Sequence, residues 1–128
     1  MNNDEMMVIE AGELQLNPDK IYPVKIENIE VRDGNFGVFY RVTFSTDFGT
    51  ASCVINRTNK GQLSRLLYAT GLDVNKLDPS EKIDLNKIIG KEIAAKLSYS
   101  SEGYLRVSAF YRPDEVDDLP QSTEDVDF

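Results

Sequence analysis

The sequence predicts a mainly β protein: a five-stranded barrel with one helix between its third and fourth strands, followed by a disordered acidic C-terminal tail. Five segments alternate apolar and polar residues with the period of a strand. A single stretch, from Asn59 to Thr70, carries apolar residues at helical spacing, and everything beyond Pro113 is polar and acidic. At 128 residues the chain has the length of one domain.

The first strand begins at Ile21. Tyr22, Val24 and Ile26 alternate with polar or small residues, and the apolar phase then jumps to Ile29 and Val31. Strand side chains alternate strictly, so a phase jump inside one extended run predicts a bulge or bend. Asp33-Gly34-Asn35 supplies a turn. From Phe36 to Thr46 the second strand sets Val38, Tyr40, Val42 and Phe44 on one face and Phe39, Arg41, Thr43 and Ser45 on the other. Asp47-Phe48-Gly49 turns again, and Thr50 to Arg57 forms a third strand, completing a meander.

Asn59, with Gln62 three positions on, predicts a capped helix start. Leu63, Leu66, Leu67 and Thr70 share one helical face, and Gly71 stands where a helix ends. Residues 72–90 read as a loop with one helical turn from Leu85 to Ile89. In the fourth strand Ile93, Ala95, Leu97 and Tyr99 alternate with Glu92, Ala94, Lys96 and Ser98. Ser100 to Gly103 makes a hairpin loop. In the fifth strand Leu105, Val107, Ala109 and Tyr111 alternate with Tyr104, Arg106, Ser108 and Phe110. Pro113, with no amide proton, stops the ladder.

The order β-β-β-α-β-β with a bent first strand is that of the OB-fold, a Greek-key barrel that binds oligonucleotides or oligosaccharides. A split open sheet with a helix on one face would give the same string. The chain divides into an acidic N-terminal segment, 1–19, in which Met6 to Ile9 could form a short strand or docking segment, a body, 20–112, and the tail, 113–128.

Composition narrows the chemistry. There is no histidine and one cysteine, Cys53, which removes histidine acid–base work, serine and cysteine triads, histidine-ligated zinc and any internal disulfide. No acid has a lysine two residues on, as in two-metal nucleases, and no Gly-rich phosphate loop is present. Asn59-Lys60-Gly61 reads as helix capping and Cys53 as a strand residue with no group to activate it. No apolar run is long enough to span a membrane, and the acidic N-terminus does not resemble a secretion signal. The expectation is a cytoplasmic, non-enzymatic binding protein that needs no cofactor or metal and meets no membrane.

A net charge of −8 would disfavour nucleic acid were it evenly spread. It is not. All 14 Lys and Arg lie in 20–112, against 10 of the 22 acids, leaving that body at +4 and the two ends at −5 and −7. On the faces opposite the aliphatic sets stand Phe39 and Arg41 in the second strand and Tyr104, Arg106 and Phe110 in the fifth; Phe36 and Phe48 flank the second strand. Rings for bases and cations for phosphates hold single-stranded nucleic acid in this way. The same rings could instead fill a small second core or a dimer interface. The final Thr-Glu-Asp-Val-Asp-Phe places Asp125, Asp127 and Phe128 where a basic pocket on a partner could read a ring between charges.

With Tyr22-Pro23-Val24-Lys25-Ile26, Lys60-Gly61-Gln62-Leu63-Ser64-Arg65-Leu66-Leu67 and Ile89-Gly90-Lys91-Glu92, this pattern resembles single-stranded DNA-binding proteins of the small bacteriophage-encoded type. The resemblance covers about 20–112 and the last residues; the chain departs from bacterial members in having no Trp and no Ile-Pro-Phe ending. It implies a barrel that coats single strands in phage DNA replication or recombination, in the host cytoplasm, and an acidic tail that recruits replication or recombination proteins and competes for the basic groove.

On this reading Lys25, Arg32, Arg41, Arg57, Lys60, Lys96 and Arg106 meet phosphates, while Phe36, Phe39, Phe48, Tyr104 and Phe110 stack on bases. The alternative is a non-catalytic protein-interaction or assembly module on a β-barrel core. Either is compatible with a homo-oligomer.

Overall fold

One strand serves two neighbours, and that closes the sheet. Strand β1, Ile21–Gly34, is 14 residues long. Drawn straight it would measure roughly 45 Å at about 3.3 Å per residue, too long for one wall of a small barrel. Instead Ile21 to Lys25 pair antiparallel with β4, Glu92–Tyr99, and Lys25 to Gly34 pair with β2, Gly37–Thr46. The register with β2 slips between Ile26 and Asn28, at the position of the apolar phase jump. Ile26 and Ile29 thereby both face inward.

The computed structural model describes residues 7–35 and 37–116. After β2 comes β3, Gly49–Asn56, then helix α2, Lys60–Ala69, and, beyond β4, the last strand β5, Leu105–Tyr111. A short helix α1, Ala11–Leu14, precedes β1. The strands run β1-β2-β3-β5-β4 around a closed barrel. All pairs are antiparallel except β3 with β5, where Ser52 meets Arg106 in parallel. That pairing and the double use of β1 decide for an OB-like barrel over the split open sheet.

The interior is filled by the alternating sets: Val24 and Ile26, Tyr40, Val42 and Phe44, Ala51, Cys53 and Ile55, Ile93, Ala95 and Leu97, and Leu105 and Val107. Helix α2 adds Leu66, Leu67 and Ala69 to the same cluster, packing against β5. Asn59 caps it, its Oδ1 accepting from the Gln62 amide at 3.1 Å. Gly71 ends it at φ 103°, a conformation other residues rarely adopt. Replacing Asn59 with Ala is expected to cost about 1 kcal/mol of folding stability, read by urea unfolding, because the orphan amide of Gln62 loses its acceptor. The loop 72–90 carries two 3-10 turns, Val74–Lys76 and Leu85–Ile88, each opened by an aspartate whose side chain accepts from the amide two residues on. The second places Ile88 in the core.

Two strands, β4 and β5, differ from strict alternation. β5 slips its register against β4 between Lys96 and Leu97, so that Ala109 faces Lys96 and Val107 faces Leu97, leaving Ser108 as the extra residue. Beyond that bulge inside and outside exchange. Phe110, expected outside, is inside, and Tyr111, expected inside, is half-exposed. Tyr99 also leaves the interior, because β4 ends there at the hairpin mouth. Ala94, on the outer face of β4, is buried, and the turn Pro113–Glu115 packs against this strand.

At the N-terminal end Met7, Val8 and Ile9 form no strand and are exposed. At the other end the chain continues past β5 into Pro113–Glu115, held to α2 by Arg112 and Tyr68. The Arg112 guanidinium lies 4.0 Å from the Tyr68 ring centre and its Nε donates to the Tyr68 carbonyl at 2.8 Å, while Tyr68 Oη donates to Glu115 at 3.2 Å. Phe36 and the remainder of the expected tail, 117–128, with Asp125, Asp127 and Phe128, lie outside the described residues.

Candidate nucleic-acid interface

The outer face of β2 carries Phe39, Arg41 and Thr43, because Tyr40, Val42 and Phe44 are drawn into the barrel. Across the antiparallel ladder Arg41 faces Val54 and Thr43 faces Ser52. The parallel pairing of Ser52 with Arg106 brings β5 alongside. These registers converge on a cleft of about 400 Å³ lined by Arg41, Thr43, Thr50, Ser52, Tyr104 and Arg106, with Ala51 and Leu105 at its floor.

Among the described residues no carboxylate lines this cleft. Among the described residues neither Arg41 nor Arg106 has an acidic partner within ion-pair distance. Tyr104, 62% exposed, and the hydroxyl-bearing Thr43, Thr50 and Ser52 line it together with the two arginines. Val54, 50% exposed, sits beside Arg41 and diagonal to Phe39, extending an apolar surface on the same face. Two unpaired arginines, an exposed ring and neutral hydroxyls can hold an anionic chain that also carries flat apolar groups.

Other expected residues are placed differently. Arg32, opposite Phe39, is ion-paired with Glu30 at 2.7 Å. The Arg32 hydrogen bond, with its charge, holds the Glu30 carboxyl below the usual carboxylate range. An exposed pair of this kind contributes little to stability. Phe39 is half-buried, its ring over Gly34, where a Cβ would come within 3.0 Å of it. The hairpin therefore uses glycine to seat that ring. Lys25 is exposed on β1 between Ser45 and Glu92; Arg57 and Lys60 lie past the far end of β3; Lys96 is half-buried on β4.

Two of the expected stacking rings lie apart from this cleft. Phe110 is 4% exposed and lies 6.1 Å from Phe44 in the core, because the Ser108 bulge turns it inward. Phe48 is half-buried, edge-on to Tyr22 at 5.2 Å. It belongs to a different cleft, of about 440 Å³, with Tyr99, Lys20, Leu14, Glu13 and Asp47. One lysine against two carboxylates makes that cleft the poorer host for a polyanion, although it is the larger.

The structure thus brings together Arg41, Tyr104 and Arg106, with Phe39 and Arg32 adjoining them. Ser52, Thr50 and Val54 were not singled out from the sequence. Ser52 and Val54 do stand out of phase with Ala51, Cys53 and Ile55, which is the local signal for an outer face. No family model matches the chain, and no curated protein is similar to it.

Among the described residues no cluster of three Cys, Asp or Glu side chains could hold a metal ion, and no helix is long and apolar enough to cross a membrane. Cys53 is buried in β3, and burial pushes its thiol from 9.0 up to about 12. At neutral pH it is a packed thiol. A folded-state value above the unfolded one means that the buried thiol's contribution is complete below about pH 9 and is lost progressively toward pH 12. Wild type is therefore expected to lose more stability over that range than Cys53→Ala, in urea unfolding at stepped pH. Parallel curves for the two proteins would contradict a raised thiol.

Proposed function

We propose that this protein binds single-stranded DNA without catalysing a reaction, holding the strand across β2, β3 and β5 with little regard to sequence. The observation that carries the reading is the cleft in which Arg41, Arg106 and Tyr104 converge, with no acid among the described residues that line it. The arginines meet phosphates, Tyr104 stacks on a base, and Val54 with Phe39 offers further apolar surface. Sequence tolerance follows from chemistry, since every base has a π-face and the lining hydroxyls do not fix one hydrogen-bond pattern. The setting proposed is phage DNA replication or recombination in the host cytoplasm, with the acidic segment after the barrel recruiting the replication or recombination machinery.

Titration of labelled oligo-dT at stepped salt, with duplex as competitor, tests this reading. Affinity should fall steeply as salt rises, because phosphate contacts release counterions, and duplex should compete poorly. Binding that ignores salt, or that prefers duplex, would overturn it. Tyr104→Ala should weaken oligo-dT binding by about 1–3 kcal/mol while leaving the melting temperature unchanged, since an exposed ring contributes stacking and little packing. Unchanged affinity would remove Tyr104 from the interface.

A second reading, a protein-interaction module, is favoured by one observation. Met7, Val8, Ile9 and Leu14 are exposed, with Leu14 at the mouth of the Phe48–Tyr99 cleft. Its signature would be no oligo-dT binding at any salt.

A further inference from the structure

The outer row of β5 does not end at Arg106. Ser108 follows two residues on, at the bulge, and lines a separate cleft of about 260 Å³ between β5 and α2. Gln62 and Arg65 form its helical wall, and Phe110 and Tyr111 form its strand wall. Arg65 is held in place from three sides. Its Nε donates to the Phe110 carbonyl at 2.9 Å, and its guanidinium carbon lies 5.3 Å from the Tyr68 ring centre and 5.5 Å from that of Tyr111.

The Arg65 terminal nitrogens have no hydrogen-bond partner among the described residues, and no carboxylate there lies within ion-pair distance. Their four N–H donors therefore form a fork already oriented, between rings that restrict its motion. Bidentate recognition of phosphate needs that arrangement, and the immobilisation cost is already met by the fold. The Arg112–Tyr68–Glu115 contacts take up the neighbouring acid, since Glu115 accepts from Tyr68 Oη rather than pairing with Arg65.

We propose that Arg65 is a second phosphate subsite, and that a single strand leaving the Arg41–Arg106 cleft continues along β5 past Ser108 to reach it. The bulge makes this path, because it turns Phe110 inward and leaves its carbonyl to orient the Arg65 fork. From Arg106 to Phe110 the path is about 13 Å along the strand, so a short oligonucleotide fills the first cleft and only a longer one spans both. The inference rests on the single-strand reading above.

The test compares oligo-dT of about 4 and about 16 nucleotides, the range of site sizes for one such barrel. Arg65→Ala should weaken binding of the long oligonucleotide about tenfold. It should also lower the slope of log affinity against log salt by about 0.7, as for one lost phosphate contact on a single strand, and leave the short one unaffected. Arg65→Lys should restore the slope and only part of the affinity, because the charge returns without the fork. Equal loss at both lengths, or no loss at either, would overturn the subsite. Should Arg65→Ala fail to fold, the wild-type protein decides: the Arg65 Nε resonance should shift with the long oligonucleotide and not with the short one, and no shift with the long one would overturn the proposal. A wild-type protein that binds neither length overturns the single-strand reading itself, whereas wild-type binding with unaltered Arg65→Ala behaviour overturns the subsite alone.

Discussion

Phe110→Ala is expected to lower folding stability by about 3–5 kcal/mol, the range for deleting a buried aromatic ring. Phe110 is 4% exposed and packs beside Phe44, so its removal leaves a cavity in the barrel wall that β5 and α2 both line. Because small domains are stable by only about 5–15 kcal/mol, that loss is a large share of the total. Urea unfolding followed by tyrosine fluorescence measures it. Below the unfolding transition the folded fraction should bind oligo-dT almost as wild type does, because the ring lies almost wholly in the core and the Phe110 carbonyl that holds Arg65 is kept. A variant with native stability and weakened DNA binding would return Phe110 to the outer face and contradict the bulge at Ser108. Set beside Tyr104→Ala, the pair separates packing from stacking: one change moves stability, the other moves affinity.

Replacing Arg41 and Arg106 together with Ala is expected to remove most of the salt-dependent affinity of the body. Each arginine, if it meets a phosphate, supplies a charge-assisted contact of roughly 1.5–3 kcal/mol. The salt slope should fall by about 0.7 for each lost contact, roughly 1.4 in all. Both side chains are exposed, lack an acidic partner among the described residues, and support no packing, so the melting temperature should hold. The double variant should be compared with Lys25→Ala, whose side chain lies away from the cleft beside Glu92. Equal small losses from all three positions would indicate diffuse attraction to a basic body, and the cleft would then have no special part in binding. Glu30 adds an internal control. It faces Arg41 across the ladder while bonded to Arg32, so Glu30→Gln should strengthen DNA binding slightly by removing a charge next to the cleft.

Much of this architecture was legible in the residues. The jump from Ile26 to Ile29 announced the bulge that lets β1 pair with both β2 and β4. Asn59 and Gly71 marked the ends of α2 within a residue. Arg41, Tyr104 and Arg106 were readable as outward residues because their strands keep period two up to those positions. Phe110 was not readable. Leu105, Val107 and Phe110 repeat the phase jump seen in the first strand, but Ala109 and Tyr111 are also apolar, so either phase could have been the inner one. Arg65 gave no signal either, since a charged residue on a helix is ordinarily solvated; its orientation comes from a carbonyl on β5 and two rings brought to it by folding.

The order of elements, the faces of the strands that keep register, the helix caps, and the gathering of positive charge between two acidic ends are all written in the residues. Those properties are local: alternation, capping and charge placement involve residues a few positions apart. Tertiary structure alone decided which rings are core and which are available, and which cations share a cleft. A bulge is set by the partner strand's register, and the cleft exists only because Ser52 and Arg106, from opposite halves of the chain, close the barrel side by side.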